Sequence, residues 1–130
     1  MNIRERSLMI LTINTIERDQ IELGLFDGHN LYCFEFETAN QSDDILHTIE
    51  GILSKQKLKL QNLTAILVHH GPGSYTGVRV GATVANTIAW TLNIPVLAYG
   101  EDNLIKCLEK VQKQSNFQKL ALPKYYAKII

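Results

Sequence analysis

The residues of this sequence best suited to chemistry form a glycine-rich segment between a predicted strand and a predicted helix. The motif comprises Gly71, Pro72, Gly73, Ser74, Tyr75, Thr76, Gly77 and Arg79. Backbone N–H groups at the start of a helix can hold an anion, so this position suits a phosphate. However, no Lys-Ser/Thr pair follows Gly77 as in a P-loop, and Pro72 and Thr76 occupy the positions where a nucleophile elbow has glycines. We therefore expect a structural turn in which Ser74 or Thr76 caps the helix, and no catalytic residue.

Two histidines, His69 and His70, immediately precede this segment and raise the question of a metal site. Adjacent residues in a strand point to opposite faces of a sheet, so the pair cannot bind one ion in a regular strand. No cysteine and no pair of carboxylates lies nearby in the sequence. We expect the histidines to pack in the loop or to face solvent, and we predict neither a metal nor a cofactor.

The elements that must position these residues begin with three predicted strands, Leu8–Asn14, Gln20–Phe26 and Leu31–Glu37. The first is a short apolar run, and the second alternates apolar and polar residues. Asp27-Gly28 between the second and third is typical of a hairpin turn, because glycine tolerates the positive φ that such a turn requires. Short connections predict that all three strands pair antiparallel.

A helix follows over Ser42–Lys57, with Ser42 as its expected N-cap. Its apolar stripe comprises Ile45, Leu46, Ile49, Ile52 and Leu53. The remaining predicted elements are a strand at Leu63–Val68, a helix at Val78–Leu92, a strand at Pro95–Tyr99, a helix at Glu101–Gln114 and a possible edge strand within 117–130. This β-β-β-α-β-α-β-α order predicts an α/β fold with a mixed sheet, as in the single ribonuclease-H-like or actin-like half-domain.

Small residues recur every fourth position in the helix that follows the glycine-rich segment. They are Gly77, Gly81, Ala85 and Ala89. Such a ridge permits close approach of another element, which is either this protein's own sheet and first helix or a helix of a partner. A more polar stripe on the same helix contains Arg79 and Trp90. An apolar helix that carries a tryptophan makes docking to a partner a reasonable alternative.

Composition excludes several classes of protein. With 130 residues, 45% of them hydrophobic, the chain has room for one ordinary domain that needs no disulfide or metal to fold. The 13 basic and 13 acidic residues balance, which argues against strong direct binding to nucleic acid. No apolar run is long enough to span a membrane, and Cys33 and Cys107 lack metal-ligand spacing. We expect a cytoplasmic protein with two buried, reduced thiols.

The segment Gly71–Gly81 closely resembles the signature of the TsaB (YeaZ) family of bacterial tRNA threonylcarbamoyladenosine biosynthesis proteins. That signature reads Gly-Pro-Gly-Ser-Phe-Thr-Gly-Leu/Val-Arg-Ile/Val-Gly, and Tyr75 replaces its phenylalanine here. The resemblance runs from the first strand through Asn93–Val96. A further segment, Pro123–Lys128, is similar to a Pro-x-Tyr-Leu-Arg sequence near the family's C-terminus.

Three departures from the family pattern bear on function. The family's first strand ends in Asp-Thr, whereas this strand ends in Asn14-Thr15, and a neutral amide is a poor magnesium ligand. The histidine-containing segment usual before the first helix is replaced by residues 40–44. The family has two lobes and this chain corresponds to one, so we expect 1–130 to be a single N-terminal lobe without the cleft that binds nucleotide. The predicted edge strand would be a remnant of the second lobe.

The resemblance implies a non-catalytic scaffold that binds a TsaD-like catalytic subunit through its first two helices. Together with a TsaE-like ATPase, such proteins support modification of adenosine 37 in tRNA, and the same surface also supports homodimers. The residues expected at or just beneath this interface are Ile45, Ile49, Leu53, Gly77, Gly81, Ala85 and Ala89. Arg79 would pair with a partner carboxylate or brace the loop. The alternatives are a homodimeric relic or binding module without a modification role, and a residual nucleotide-binding protein.

Overall fold

A five-stranded mixed sheet with three helices makes up the computed structural model, which describes residues 7–117. Its strands are β1 (Ile10–Asn14), β2 (Gln20–Phe26), β3 (Leu31–Glu37), β4 (Ala65–His69) and β5 (Val96–Tyr99). Its helices are α1 (Gln41–Lys55), α2 (Tyr75–Leu92) and α3 (Leu104–Phe117), with a short 3₁₀ turn at Leu60–Asn62. The predicted order of elements is confirmed.

The strands lie in the order β3-β2-β1-β4-β5. The first three pair antiparallel, as their short connections predicted, whereas β1, β4 and β5 run parallel because helices connect them. The carboxyl ends of β1 and β4 therefore lie side by side at one edge of the sheet. After β1 the chain continues to β2 on one side, and after β4 it continues through α2 to β5 on the other side. Open α/β sheets commonly form a ligand crevice between two such strands.

Alternating residues of the strands build a core on each face of the sheet. On the first face, Leu11 and Ile13 of β1 pack beneath α1 and α2. On the second face, Ile10 of β1 and Leu67 of β4 pack with Leu108 of α3. Because β1 and β4 contribute fully buried side chains to both cores, they form the centre of the molecule. Short continuous apolar runs predicted these two strands from the sequence, as expected for strands that are buried on both faces.

Helix boundaries differ from the sequence expectations at three starts. Asn40, rather than Ser42, caps α1: its Oδ1 accepts hydrogen bonds from the Asp43 backbone N–H and from the Ser42 hydroxyl. Helix α2 begins three residues earlier than expected, at Tyr75, and α3 begins at Leu104. The end of α2 agrees with expectation, because Asn93 adopts the left-handed conformation with φ of 57°.

The two cysteines are free, but the expectation that both are buried is wrong for Cys33. This residue is exposed on β3, the outermost strand of the described sheet. Cys107 of α3 is half-buried against the second core, and this burial raises the pKa of its thiol. The expected edge strand within 117–130 lies, from residue 118 onward, outside the described residues. None of the described helices is both long and apolar enough to cross a membrane.

Candidate functional site at the glycine loop

The glycine loop, residues 71–77, packs directly onto the turn between β1 and β2. Its Ser74 backbone N–H donates to the Ile16 carbonyl oxygen at 2.8 Å. A Cβ atom added at Gly73 would lie 2.5 Å from the Cβ of Ile16, closer than any side chain tolerates. Glycine is therefore required at position 73 so that the loop after β4 can touch the turn after β1.

Ser74 is the cap that starts α2, as one of the two sequence alternatives predicted. Its hydroxyl accepts a hydrogen bond from the Gly77 backbone N–H at 3.1 Å. Thr76 instead lies in the first turn of the helix and is exposed. On the opposite side, the Thr15 hydroxyl donates to the Gly77 carbonyl oxygen at 2.6 Å. A Cβ at Gly77 would lie 2.1 Å from the Thr15 carbonyl oxygen, so this contact also depends on glycine.

His69, the last residue of β4, contacts the N-terminal end of the glycine loop. Its Nδ1 accepts a hydrogen bond from the Gly71 backbone N–H at 3.0 Å, and its ring packs edge-on against Tyr99 with 4.9 Å between ring centroids. Burial, followed by the nearby His70, lowers the pKa of His69. His70 itself is exposed, so the two side chains diverge as expected. Three N–H groups that could face an anion, those of residues 71, 74 and 77, are thus bonded within the chain.

Asn14, at the end of β1, also has its side chain engaged. Its Oδ1 accepts from the Ile16 backbone N–H, and its Nδ2 donates to the Glu22 carboxylate, both at 3.1 Å. Burial, and then the carboxylate of Glu35 directly opposite on β3, raise the pKa of Glu22. An amide suits this position because it can donate to Glu22, whereas a second carboxylate would repel it.

Gln41 is a positioning residue that the sequence analysis missed. Although it is the first residue of α1, its side chain is buried, and its Nε2 lies 2.8–3.1 Å from the carbonyl oxygens of Thr15, Glu17 and Gln20. It therefore fixes the start of α1 to the β1–β2 turn, beside Gly77. No sequence signal distinguishes it, because glutamine at the start of a helix is ordinarily exposed.

The residues expected at a partner interface all lie beneath the surface of the two helices. These are Ile45, Ile49 and Leu53 of α1, and Gly77, Gly81, Ala85 and Ala89 of α2. The small-residue ridge of α2 faces the chain's own sheet: a Cβ at Gly81 would lie 2.6 Å from the Thr15 hydroxyl and 3.3 Å from a Val68 methyl group. The ridge lets α2 sit close to β1 and β4.

The opposite side of α2 is exposed and carries large side chains. Tyr75 is 70% exposed and Trp90 71% exposed, at the two ends of the helix. Between them, Arg79 Nη1 donates to the Tyr75 hydroxyl at 2.9 Å, and its guanidinium lies 5.2 Å from the centre of that ring. On α1, Leu46 is also exposed. We call the exposed side chains of Leu46, Tyr75, Arg79 and Trp90 the helical surface.

Among the described residues, no group of three or more histidine, cysteine or acidic side chains is placed to hold a metal ion. Of the adjacent histidines His69 and His70, the first already uses its Nδ1 to accept a hydrogen bond from the Gly71 backbone N–H. The arrangement around the glycine loop therefore consists of hydrogen bonds and close backbone contacts that hold β1, β4, α1 and α2 together.

Comparison with solved structures defines the class of fold. The chain superposes on YeaZ from Pseudomonas aeruginosa with a TM-score of 0.67 and 21% sequence identity, covering 85% of this chain and 50% of that one. The fold is that of a ribonuclease-H-like or actin-like half-domain, as the order of elements predicted.

Sequence comparison then identifies the family. Residues 36–120 match the family model described as TsaD, tRNA N6-adenosine threonylcarbamoyltransferase. The chain is 44% identical over 59 residues to the tRNA threonylcarbamoyladenosine biosynthesis protein TsaB of Bacillus subtilis, a match that covers 45% of this chain. It is 32% identical over 92 residues, 71% of this chain, to TsaB of Haemophilus influenzae. The chain belongs to this family, and within it to the TsaB proteins. The matches cover 26% and 39% of these two relatives, so the chain spans well under half of their length.

Proposed function

We propose that this protein is a non-catalytic scaffold in tRNA threonylcarbamoyladenosine biosynthesis that binds a TsaD-like catalytic subunit through α1 and α2. The observation that carries the proposal is the exposure of Tyr75 and Trp90 on the outer side of α2. The relatives in Bacillus subtilis and Haemophilus influenzae are named as tRNA threonylcarbamoyladenosine biosynthesis proteins, which indicates the pathway. The matched family model supplies the partner's chemical class.

Large aromatic side chains and arginine are the residues most often found at the energetic centre of protein interfaces. Trp90 and Tyr75 each leave most of their surface in water, and burying it against a partner would be favourable. Arg79 lies between them and is exposed. Its hydrogen bond to Tyr75 favours the role of bracing the first turn of α2. The remaining guanidinium N–H groups could still donate to a partner carboxylate.

The buried residues of the two helices support this surface from beneath. Gly77 and Gly81 set the distance from α2 to the sheet, while Ile45 and Ile49 anchor α1 in the first core. A rigid pair of helices loses little conformational entropy when it binds, which favours docking. Substitution of these buried residues would therefore weaken binding only by altering the fold.

A homodimer through the same helical surface is the second candidate, because the same exposed aromatic side chains would serve it. A nucleotide site at the glycine loop is less well supported, because the N–H groups of Gly71, Ser74 and Gly77 already donate to acceptors within the chain. The Asn14 amide likewise donates to Glu22. Mg²⁺-dependent ATP hydrolysis that is lost in Asn14→Ala would overturn the scaffold proposal in favour of an enzyme.

The test is light scattering and calorimetry of the purified chain with the TsaD-like protein of the same organism. We expect a complex of one copy of each, and Trp90→Ala should weaken it at least tenfold because the indole is lost from the interface. The matched control is Ile105→Ala, since Ile105 is also a large exposed apolar residue (61%) but lies on α3, on the other side of the sheet. A stable homodimer that ignores the TsaD-like protein, or equal effects of both substitutions, would contradict the proposal.

A further inference from the structure

Strand β3 is the outermost strand of the described sheet, and within residues 7–117 it pairs only with β2. The Asp27 N–H donates to the Asn30 carbonyl oxygen at one end of this hairpin, and the Thr38 N–H donates to the Asp19 carbonyl oxygen at the other end. These two bonds fix the ladder, so the even-numbered residues of β3 bond to β2. The backbone N–H and C=O groups of the odd-numbered residues point away from the sheet, at Leu31, Cys33, Glu35 and Glu37. Such an edge can accept another strand.

The side chains of β3 differ between the two faces of the sheet. The first face carries aromatic rings: Tyr32 is 45% exposed, and Phe34 and Phe36 are half-buried against the first core. On the second face, the side chains of Glu35 and Glu37 are exposed. Because cross-strand neighbours interact directly, a strand that matches this edge carries apolar residues on the first face and positive charge on the second face.

Negative charge is concentrated on this side of the molecule. Between positions 17 and 50, which include β2, β3 and most of α1, the sequence holds nine of its 13 acidic residues and one basic residue, Arg18. Residues 51–117 instead hold seven basic and three acidic residues. A second copy of the chain would bring further carboxylates to the β3 edge, and like charges on neighbouring strands oppose pairing. The edge therefore disfavours its own copy and favours a strand of opposite charge.

A depression of about 410 Å³ lies at the carboxyl end of β3 and is lined by Asp19, Gln20, Glu37, Thr38 and Ala39. Gln20 and Glu37 are cross-strand neighbours on the second face, so the depression continues the row of acidic side chains on that face. Its two carboxylates suit the ammonium or guanidinium group of a long basic side chain. A basic residue near the end of an added strand would reach this depression.

We propose that the outer edge of β3 binds an extended segment of a partner protein in which basic and apolar residues alternate. Main-chain hydrogen bonds to the outward-facing groups of β3 supply affinity, and the alternating side chains supply specificity. The basic residues lie beside Glu35 and Glu37 on the second face, and the apolar residues lie beside the aromatic rings on the first face. This inference goes beyond the proposed function and does not depend on it, because the TsaD-binding surface proposed above lies on α1 and α2.

The probe is a peptide of alternating lysine and valine with acetylated and amidated ends, matched to the seven residues of β3 and added to the full chain. Amide hydrogen exchange locates its binding: at saturating peptide, the Cys33 and Glu35 N–H groups should exchange about tenfold more slowly or slower still. The Phe34 N–H, which already bonds to β2, should change little. The matched control peptide has the same composition with its lysines contiguous. It keeps the charge without the alternation and should bind about fivefold more weakly or weaker still.

Charge reversal on the edge tests the contribution of the side chains. Glu35→Lys/Glu37→Lys should weaken binding of the alternating peptide about tenfold or more in calorimetry, because two attractive pairs become repulsive. The matched control is Glu101→Lys/Asp102→Lys, which makes the same change of charge at exposed residues after β5, the opposite edge of the sheet. It should change the affinity less than about twofold, because solvent and salt screen distant charges. Thermal unfolding establishes that both variants are folded.

Several results would overturn the proposal. Equal weakening by the two charge reversals, or equal binding of the two peptides, would show that the peptide responds only to net charge. Slow exchange of the Cys33 and Glu35 N–H groups in the chain alone would show that this edge is already covered, by the chain itself or by a second copy. Failure of the alternating peptide to bind would exclude the proposed occupant.

Discussion

At the end of β1, the neutral side chain of Asn14 makes two hydrogen bonds that a carboxylate could not both make. Asn14 donates to Glu22 and accepts from the backbone of Ile16, so its amide uses both of its functions. Glu22 also faces the carboxylate of Glu35 across the β2–β3 pair. Glu22 and Glu35 form a non-hydrogen-bonded pair of the antiparallel ladder, the kind of pair in which opposite side chains lie closest together. Like charges at such positions oppose folding.

We predict that Glu22→Gln stabilises the protein at pH 7 by up to about 1 kcal/mol. The folded state raises the pKa of Glu22, so it holds this proton more tightly than the unfolded state. Stability from this group is therefore present at low pH and is lost as pH rises from about 4.5 through the raised pKa. Urea denaturation at several pH values should show this loss in the wild type and not in the variant.

The control for this prediction is Glu50→Gln on the exposed side of α1. If both substitutions change the free energy of unfolding equally across the pH range, the Glu22–Glu35 pair is not the cause. Glu35→Gln should reproduce part of the effect of Glu22→Gln, and the double variant should gain less than the sum, because the two residues share one interaction.

Helix α2 is positioned by glycines that serve close approach rather than flexibility. Its face toward the sheet has no room for a methyl group at Gly81, because the Thr15 hydroxyl and a Val68 methyl group lie against it. By contrast, Gly51 of α1 is exposed, and a Cβ there would have no atom within 4 Å. The two positions therefore form a natural pair for comparing packing with helix propensity.

We predict that Gly81→Ala destabilises the protein by about 1–3 kcal/mol, because the added methyl group overpacks the contact between helix and sheet. Gly51→Ala should stabilise it by about 0.5–1 kcal/mol, because alanine favours the helix and meets no neighbour. Chemical denaturation followed by circular dichroism measures both. A neutral Gly81→Ala would show that α2 can move away from β1 and β4.

The elements of this fold differ, for physical reasons, in how well their bounds can be predicted from the sequence. Strands β2 and β3 were predicted with their observed bounds, because alternation along Gln20–Phe26 and the Asp27-Gly28 turn are local signals. Helix α2 begins at Tyr75 rather than at the predicted Val78, because Tyr75 and Thr76 lie within a glycine-rich segment that is typical of a loop. The burial of Gln41 could not be predicted, because its three carbonyl partners come together only in the fold.

At the scale of the whole molecule, β4 joins the two cores. Neighbouring residues of this strand point in opposite directions: Ile66 packs in the first core beneath α1 and α2, and Leu67 packs in the second core beneath α3. Both are fully buried. Since one strand serves both cores, neither core can lose its packing without disturbing the other, and we expect them to unfold together.

We therefore predict that Ile66→Ala and Leu67→Ala each destabilise the protein by about 2–5 kcal/mol, because each leaves a cavity in one core. Each variant should still unfold in a single cooperative transition, with midpoints that agree between circular dichroism and hydrogen exchange. Two separate transitions in either variant would show that α3 and the second face form an independent unit.

The exposure of Trp90 has a practical consequence, because it is the single tryptophan of the sequence. Intrinsic fluorescence of this chain comes from an indole in water rather than in a core, so its emission should lie at long wavelength in the folded protein and shift little on unfolding. A shift to shorter wavelength on adding another protein would signal that the outer side of α2 has become covered. The emission wavelength of Trp90 should therefore report binding at the outer side of α2 while changing little when the protein unfolds.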